Sequence, residues 1–104
     1  MKAINMITEI AELTIDPAQA AAFEAAVSRA APAFQTANGC HSMALERVIE
    51  DVSKYRLIVQ WDSVDHHVVL FRNSDNFQLW RTLAGPFFTA PPAVTHSGLV
   101  ARYF

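Results

Sequence analysis

Charged residues are scarce in this chain, and apolar residues are abundant. Of its 104 residues, 17% are charged and 52% are hydrophobic, and the formal net charge is −2. Lysine and arginine form no cluster anywhere along the sequence. A chain without a basic patch offers no electrostatic footprint for phosphate backbones or anionic lipids, so we expect neither nucleic acid nor a membrane as a partner.

Long apolar runs and paired cysteines are also lacking. Lys2 is followed by Glu9 and Glu12, which interrupt the apolar run that a signal peptide needs, and no run approaches the ~18 residues of a membrane span. The single cysteine, Cys40, has no partner for an internal disulfide or for a cysteine metal site. We therefore expect a cytoplasmic protein.

Several motifs that identify common enzyme classes are missing. The sequence contains no phosphate loop, no dinucleotide fingerprint and no nucleophile elbow, so nucleotide chemistry and nucleophilic hydrolysis have no support. No histidine pair or carboxylate cluster stands at metal-ligand spacing. We expect neither a metal nor another cofactor.

The chain has the length of one domain, and we expect this domain to cover residues 1–104. Alternating and β-branched residues predict strands, and caps followed by helical spacing predict helices. The predicted strands cover residues 6–15, 40–49, 55–61 and 93–103. The predicted helices begin at Asp16-Pro17, at Asp62 or Ser63, and at Ser74.

Each predicted helix has an apolar stripe that should face the sheet. The stripes consist of Phe23, Val27, Ala30 and Phe34 in the first helix, of Val64, Val68 and Phe71 in the second, and of Phe77, Trp80, Leu83, Ala84 and Phe87 in the third. His67 lies on the border of the second stripe. Pro32 should kink or end the first helix about a turn before Asn38-Gly39.

The order β-α-β-β-α-β predicts an α+β, ferredoxin-like fold with a four-stranded antiparallel sheet and helices on one face. On the third strand Tyr55, Leu57, Val59 and Trp61 should meet the helices. Arg56, Ile58 and Gln60 point to the other face. Because that face is too apolar to stay wet, and the chain is rich in apolar residues, we expect a homodimer that packs two sheets together.

Aromatic residues are concentrated between positions 61 and 88, as expected for the wall of a cavity that binds a flat molecule or for a plain core. The candidate substrate-binding residues are Trp61, Phe71, Arg72, Phe77, Trp80 and Arg81. The candidate catalytic residues are His67 and His96, since both lie on or beside apolar faces. The alternatives are core histidines and solvated arginines at the helix surface.

The pattern Trp61-Asp-Ser-x-x-x-His67-x-x-x-Phe71-Arg72-x-Ser74-x-x-Phe77-x-x-Trp80-Arg81-x-x-x-Gly85-Pro86-Phe87-Phe88-x-x-Pro91-Pro92-x-Val94-x-His96 resembles the antibiotic biosynthesis monooxygenase (ABM) family. The resemblance implies a dimeric α/β barrel with a pocket between helices and sheet, and in the oxygenases no flavin or metal. In haem-degrading relatives the position of Arg81 holds the iron-binding histidine. A guanidinium has no lone pair for iron, so haem degradation by that arrangement is not expected.

The function that the resemblance implies is a cofactor-independent monooxygenase acting on a small electron-rich aromatic molecule, a phenol or quinol. Two alternatives stay open at this stage. One is a non-catalytic small-molecule-binding domain, and the other is an isomerase or lyase of the same superfamily that shuttles protons through His67 or His96.

Overall fold

The computed structural model describes residues 6–104, so Lys2 and the first five residues of the predicted domain lie outside it. Within the described residues the chain forms four strands and two α-helices. The strands are β1 (Ile7–Thr14), β2 (Cys40–Arg47), β3 (Lys54–Trp61) and β4 (Ala93–Gly98). The α-helices are α1 (Ala20–Gln35) and α2 (Asp75–Ala84).

The sheet has the strand order β2-β3-β1-β4, and all neighbouring strands are antiparallel. Strands β1 and β3 are therefore central, while β2 and β4 form the edges. This is the split β-α-β-β-α-β arrangement. The prediction of an α+β, ferredoxin-like fold with a four-stranded antiparallel sheet is confirmed.

Helix α1 follows a local cap in the sequence. Oδ1 of Asp16 accepts a hydrogen bond from the backbone N–H of Ala18 at 3.0 Å, and Pro17 opens a 3₁₀ turn that leads into the helix. α1 continues through Pro32 and ends at Gln35, close to the predicted end. The whole predicted stripe is buried, namely Phe23, Val27, Ala30 and Phe34.

Between β3 and α2 the chain forms a π-helical segment, His66–Phe71. The backbone N–H of Arg72 donates to the carbonyl of His67 at 3.1 Å, so this bond spans five residues instead of the usual four. Oγ of Ser63 accepts the backbone N–H of His66 at 3.2 Å and marks the start of the helical turn. Ser63 is one of the two caps that the sequence predicted here.

The π-helical segment changes which side chains face the sheet. His67 and Phe71 are each only 3% exposed, whereas Val64 is 39% exposed. The predicted stripe was therefore wrong at Val64, and His67 belongs to the inward face rather than to its border. The reason is the wider turn, which shifts the helical phase that a regular α-helix would have.

Helix α2 and the strand ends need smaller corrections. Oγ of Ser74 accepts the backbone N–H of Phe77 at 3.3 Å and caps α2 as predicted. β4 ends at Gly98 and not at residue 103, because Gly98 pairs with Ile7, the first residue of β1. β2 ends at Arg47 and not at residue 49.

The two faces of the sheet differ in burial. On β3 the side chains of Tyr55, Leu57, Val59 and Trp61 lie in the core with the helices, as predicted. The opposite face carries a row in which Ala44, Ile58, Ile10 and Thr95 are aligned across the four strands. Over residues 6–104 no helix is long and apolar enough to cross a membrane.

Candidate functional site

A cavity of about 780 Å³ lies between the helix-facing side of the sheet and the helical segments. This volume is in the range of pockets that bind small organic molecules. Its walls are mainly aromatic and aliphatic, and they include Leu57, Phe34, Phe71, Phe77, Trp80 and Phe88. Its polar groups are those of Glu9, His67, Arg72 and Arg81.

Glu9 is a buried carboxyl group at the inner end of this cavity. It lies on β1 and is 4% exposed. Its Oε1 accepts a hydrogen bond from Nε1 of Trp61 at 2.9 Å, and Nε2 of His67 lies 3.3 Å from the same oxygen. The indole N–H therefore donates to this carboxyl oxygen and the imidazole nitrogen of His67 lies beside it, which partly compensates the cost of burying the carboxyl group.

The two candidate histidines are in direct contact. Nδ1 of His67 lies 2.8 Å from Nε2 of His96, so one of these nitrogens donates and the other accepts. His96 is on the edge strand β4 and pairs across the strands with Glu9. The His67 ring also stacks on Trp61, with 5.5 Å between centroids and 19° between planes.

Burial controls the ionisation of these groups. It raises the pKa of Glu9, against the hydrogen bond from Trp61 and the positive charge of Arg72, which lower it. Burial also lowers the pKa of His67 to about 4, assisted by the charges of Arg72 and His96. The pKa of His96 is lowered too, by burial and then by Arg72. Both shifts favour the uncharged form of the imidazoles.

The two arginines supply the positive charge of the site. Arg72 follows the π-helical segment, and Arg81 lies on α2 with its guanidinium 6.0 Å from the ring centroid of Phe77. Both line the cavity. A guanidinium at this position can hold an anionic oxygen of a bound molecule.

The structure places the predicted site residues in two groups. His67, Phe71, Arg72, Phe77, Trp80 and Arg81 line the cavity. Trp61 and His96 do not line it, which differs from the single pocket that we expected for them. Trp61 contacts Glu9, and His96 contacts His67, and both of these partners line the cavity.

Glu9 is the site residue that sequence reasoning missed. In the sequence it stands out only as an interruption of an apolar run. The available signal was its register, because Glu9 alternates with Ile7, Ala11 and Leu13 on the side of β1 that faces the core. An acidic residue at an inward strand position must be paired or protonated, and it is therefore a candidate for function.

The arrangement is suited to proton transfer at the edge of an aromatic cavity. The buried carboxyl group of Glu9 contacts the imidazole of His67, which contacts the imidazole of His96. The guanidinium of Arg72 is near all three groups. In residues 6–104 no group of three or more His, Cys, Asp or Glu side chains is placed to hold a metal ion.

Comparison with known proteins gives consistent results. A family model described as antibiotic biosynthesis monooxygenase matches residues 6–83. The crystal structure of a candidate antibiotic biosynthesis monooxygenase from Bordetella bronchiseptica is 47% identical, covers 93% of this chain and 99% of that chain, and has a TM-score of 0.91. A similar candidate from Caulobacter crescentus CB15 is 24% identical with a TM-score of 0.79, covering 93% and 92% of the two chains, and it supports the fold alone.

A curated relative extends this result to the sequence level. The uncharacterized protein YczJ of Bacillus subtilis (strain 168) is 34% identical over 91 residues, which are 88% of this chain and 96% of that protein. The family match covers both central strands, α1, the π-helical segment and most of α2. The chain therefore belongs to the antibiotic biosynthesis monooxygenase family.

Proposed function

We propose that this protein is a cofactor-independent monooxygenase that oxidises a small phenol or quinol in the cavity beside Glu9 and His67. The observation that supports this most is the combination of an aromatic wall with buried titratable groups in contact with one another. Membership of the monooxygenase family agrees with the same reaction class.

The proposed reaction needs no electrons from the protein. Of the two atoms of O₂, one enters the aromatic substrate and the other leaves as water, and the substrate itself supplies the four electrons. What the protein must supply is an ionised substrate, because the phenolate is the electron-rich form that can give an electron to O₂.

The energy for ionisation is within reach of this site. A phenol with a pKa of about 10 is ionised to about 0.1% at pH 7, a deficit of roughly 4 kcal/mol. One positive charge at about 4 Å, with an effective dielectric constant of about 20, contributes roughly 4 kcal/mol. Arg72 or Arg81 would supply that charge, and the aromatic walls would keep water away.

Oxygen consumption tests the proposal directly. Purified protein is mixed with a panel of phenols and quinols, and O₂ uptake is followed together with product formation. We expect one oxygen atom in the product for each O₂ consumed, and no requirement for added flavin or metal. The proposal is wrong if no member of the panel increases O₂ uptake above the uncatalysed rate.

A second candidate function rests on the contact between Glu9, His67 and His96. Such a series of proton carriers also suits an isomerase or lyase, which moves protons without O₂. In that case a bound ligand would exchange hydrogen for deuterium from the solvent with no loss of O₂. A non-catalytic binding domain would do neither.

We also propose that two copies of the chain associate through the outward face of the sheet, in the manner of a dimeric α/β barrel. The central row of that face is apolar at Ala44, Ile58 and Ile10. Beyond β4, the side chains of Leu99, Val100, Tyr103 and Phe104 are exposed in the single chain. The cytoplasm remains the expected location.

A further inference from the structure

Three side chains, those of Glu9, His67 and His96, form a continuous path from the cavity to the edge of the sheet, and Trp61 contacts the first of them. Trp61 and His67 both contact Oε1 of Glu9, at 2.9 Å and 3.3 Å. The other nitrogen of His67 lies 2.8 Å from Nε2 of His96. Because β4 is an edge strand and His96 is only partly buried, the path ends near the surface.

Glu9 and His67 both line the cavity, but both ring nitrogens of His67 are already in contact with Glu9 and His96. Glu9 lines the cavity, and within residues 6–104 both of its contacts use Oε1. Its second oxygen, Oε2, makes no contact of this kind with those residues. A carboxylate oxygen at a cavity wall can accept a proton from a bound hydroxyl group.

Two arrangements of the protons satisfy the same contacts. When Glu9 is ionised, His67 carries its proton on Nε2 and donates it to the carboxylate, and His96 donates from Nε2 to Nδ1 of His67. When Glu9 is protonated, it donates to Nε2 of His67, which carries its proton on Nδ1 and donates it to His96. Both imidazoles are neutral in both arrangements.

We propose that Glu9 is the proton acceptor of the cavity, and that His67 and His96 form a relay that exchanges its proton with solvent. The inference rests on the proposed oxidation for the identity of the proton donor, a phenol or quinol hydroxyl. The relay itself is independent of O₂.

The protons and charges balance at each step. The O–H bond of the ligand breaks, a bond between that proton and Glu9 forms, and the electron pair stays on the ligand oxygen. In the exchange with solvent, the carboxyl group of Glu9 turns so that its protonated oxygen faces His67. Glu9 then gives this proton to Nε2 of His67 while His67 gives its Nδ1 proton to Nε2 of His96. His96 releases its Nδ1 proton to water, so each ring gains one proton and loses one.

The surrounding charges favour this relay over a charged histidine. Burial and the positive charge of Arg72 both oppose an imidazolium at His67 and at His96. Arg72 also lowers the cost of an ionised Glu9. The other titratable group near Glu9 is Cys40 on β2, whose pKa is raised by burial and by the charge of Glu9.

The position of the proton on His67 can be measured by NMR without any substrate. With isotopically labelled histidine, the nitrogen shifts distinguish the two neutral tautomers and the imidazolium, and the protein is titrated over the whole pH range in which it stays folded. We expect the proton of His67 to move from Nδ1 to Nε2 as Glu9 ionises, with the ring neutral throughout. In Glu9→Gln this change of tautomer should disappear.

Two results of that experiment would overturn the relay. One is a His67 that keeps the same tautomer at every pH in the wild-type protein. The other is a His67 that becomes an imidazolium when Glu9 ionises, since the pair would then be an ion pair. If Glu9→Gln does not fold, Glu9→Asp retains the carboxyl group, and the change of tautomer should persist at an altered pH.

Kinetics provide the second test, with a phenol or quinol that the wild-type protein oxidises. Glu9→Gln should lower kcat about 10²-fold, the scale for loss of a general base, while KM stays nearly unchanged. His96→Gln should lower kcat less, because Glu9 remains. An unchanged kcat in Glu9→Gln would overturn its assignment as acceptor. If no substrate is oxidised but the tautomer of His67 still changes with pH, the proposed oxidation fails and the relay stands.

Discussion

The pKa of His67 differs between the folded and the unfolded chain. In the folded protein burial lowers its pKa to about 4 from an ordinary value of 6.5. Between these two pH values the unfolded chain binds a proton that the folded chain does not bind. Stability due to His67 is therefore complete above pH 6.5 and is lost as the pH falls toward 4, by about 3 kcal/mol in total.

We expect His67→Gln to remove this loss. The free energy of unfolding, measured by urea denaturation at several pH values, should change in favour of the variant by about 3 kcal/mol relative to wild type as the pH falls from 6.5 to 4. A constant difference between the two proteins across this range would contradict the prediction.

His67 and its neighbour His66 offer a matched pair for testing the site. His66 lies on the same segment, but its Nδ1 contacts Oγ of Ser63 at 2.7 Å and it is not among the residues that line the cavity. We expect His67→Ala to lower turnover of a phenol or quinol per folded molecule, by less than the about 10²-fold expected for loss of the general base because Glu9 remains, and His66→Gln to leave it near wild type. If both variants lose activity only in proportion to folded protein, His67 is a structural residue.

At the scale of single residues, the sequence predicts which residues face the cavity better than it predicts which side chains contact one another. His67, Phe71 and Trp80 could be placed at the cavity because helical spacing predicts faces. The contact of His67 with His96 joins a helical segment to a strand far away in sequence, and no spacing rule predicts such a pairing. Glu9 was missed because one acidic residue in an apolar strand reads as an interruption until its register is considered.

The ring of His66, in the π-helical segment, packs against a glycine from a distant part of the sequence. Gly39, in the turn that precedes β2, has a φ of +80°, and a Cβ placed on it would overlap the ring of His66. We expect Gly39→Ala to cost about 1–3 kcal/mol, because it adds both a left-handed backbone strain and a clash. The measurement is the midpoint of thermal or urea unfolding.

Gly98 provides the control for this prediction. It lies at the end of β4, has no positive φ and has nothing within 4 Å of an added Cβ. Gly98→Ala should therefore be nearly neutral in the same assay. Equal destabilisation by the two substitutions would show that the contact with His66 does not matter.

The elements themselves were largely predictable from local signals. Ser74 marks the start of α2 because its side chain caps that helix, and Asp16 marks the approach to α1 because its side chain caps the 3₁₀ turn that leads into it. The π-helical segment was not predictable, because its five-residue hydrogen bond at His67 depends on packing and not on any residue pattern. The end of β4 was not predictable either, since it is set by where β1 begins.

At the scale of the whole molecule, the outward face of the sheet is the surface through which we propose that two copies associate. Ile58 is central in its apolar row and only partly exposed, with Ala44 and Ile10 on either side. A lysine at this position would leave a charge in a buried interface. We expect Ile58→Lys to convert a dimer to a monomer, measured by light scattering at micromolar concentration.

Ile49 gives a control that is equally apolar but distant from that row. It lies beyond the end of β2 and is 90% exposed. Ile49→Lys should leave the molar mass and the melting temperature near wild type. A wild-type protein that is monomeric under the same conditions would remove the proposed dimer, and the melting temperature should then not depend on protein concentration.

The fold was predictable at this scale because the order of elements restricts how they can be connected. The strand order β2-β3-β1-β4 follows from that order together with the single inward face of each strand. The cavity was less predictable. Its shape depends on how α2 and the π-helical segment stand away from the sheet, which only the packed structure defines.

Because Trp61 stacks on His67, its fluorescence should respond to the protonation of the groups around it. The chain has two tryptophans, and they report on different places, since Trp80 lines the cavity while Trp61 contacts Glu9 and His67. In Trp80→Phe the remaining emission comes from Trp61 alone. Its intensity should depend on whether the proton lies on Glu9 or on His67, so a pH titration followed by fluorescence should report the ionisation of Glu9 without a label.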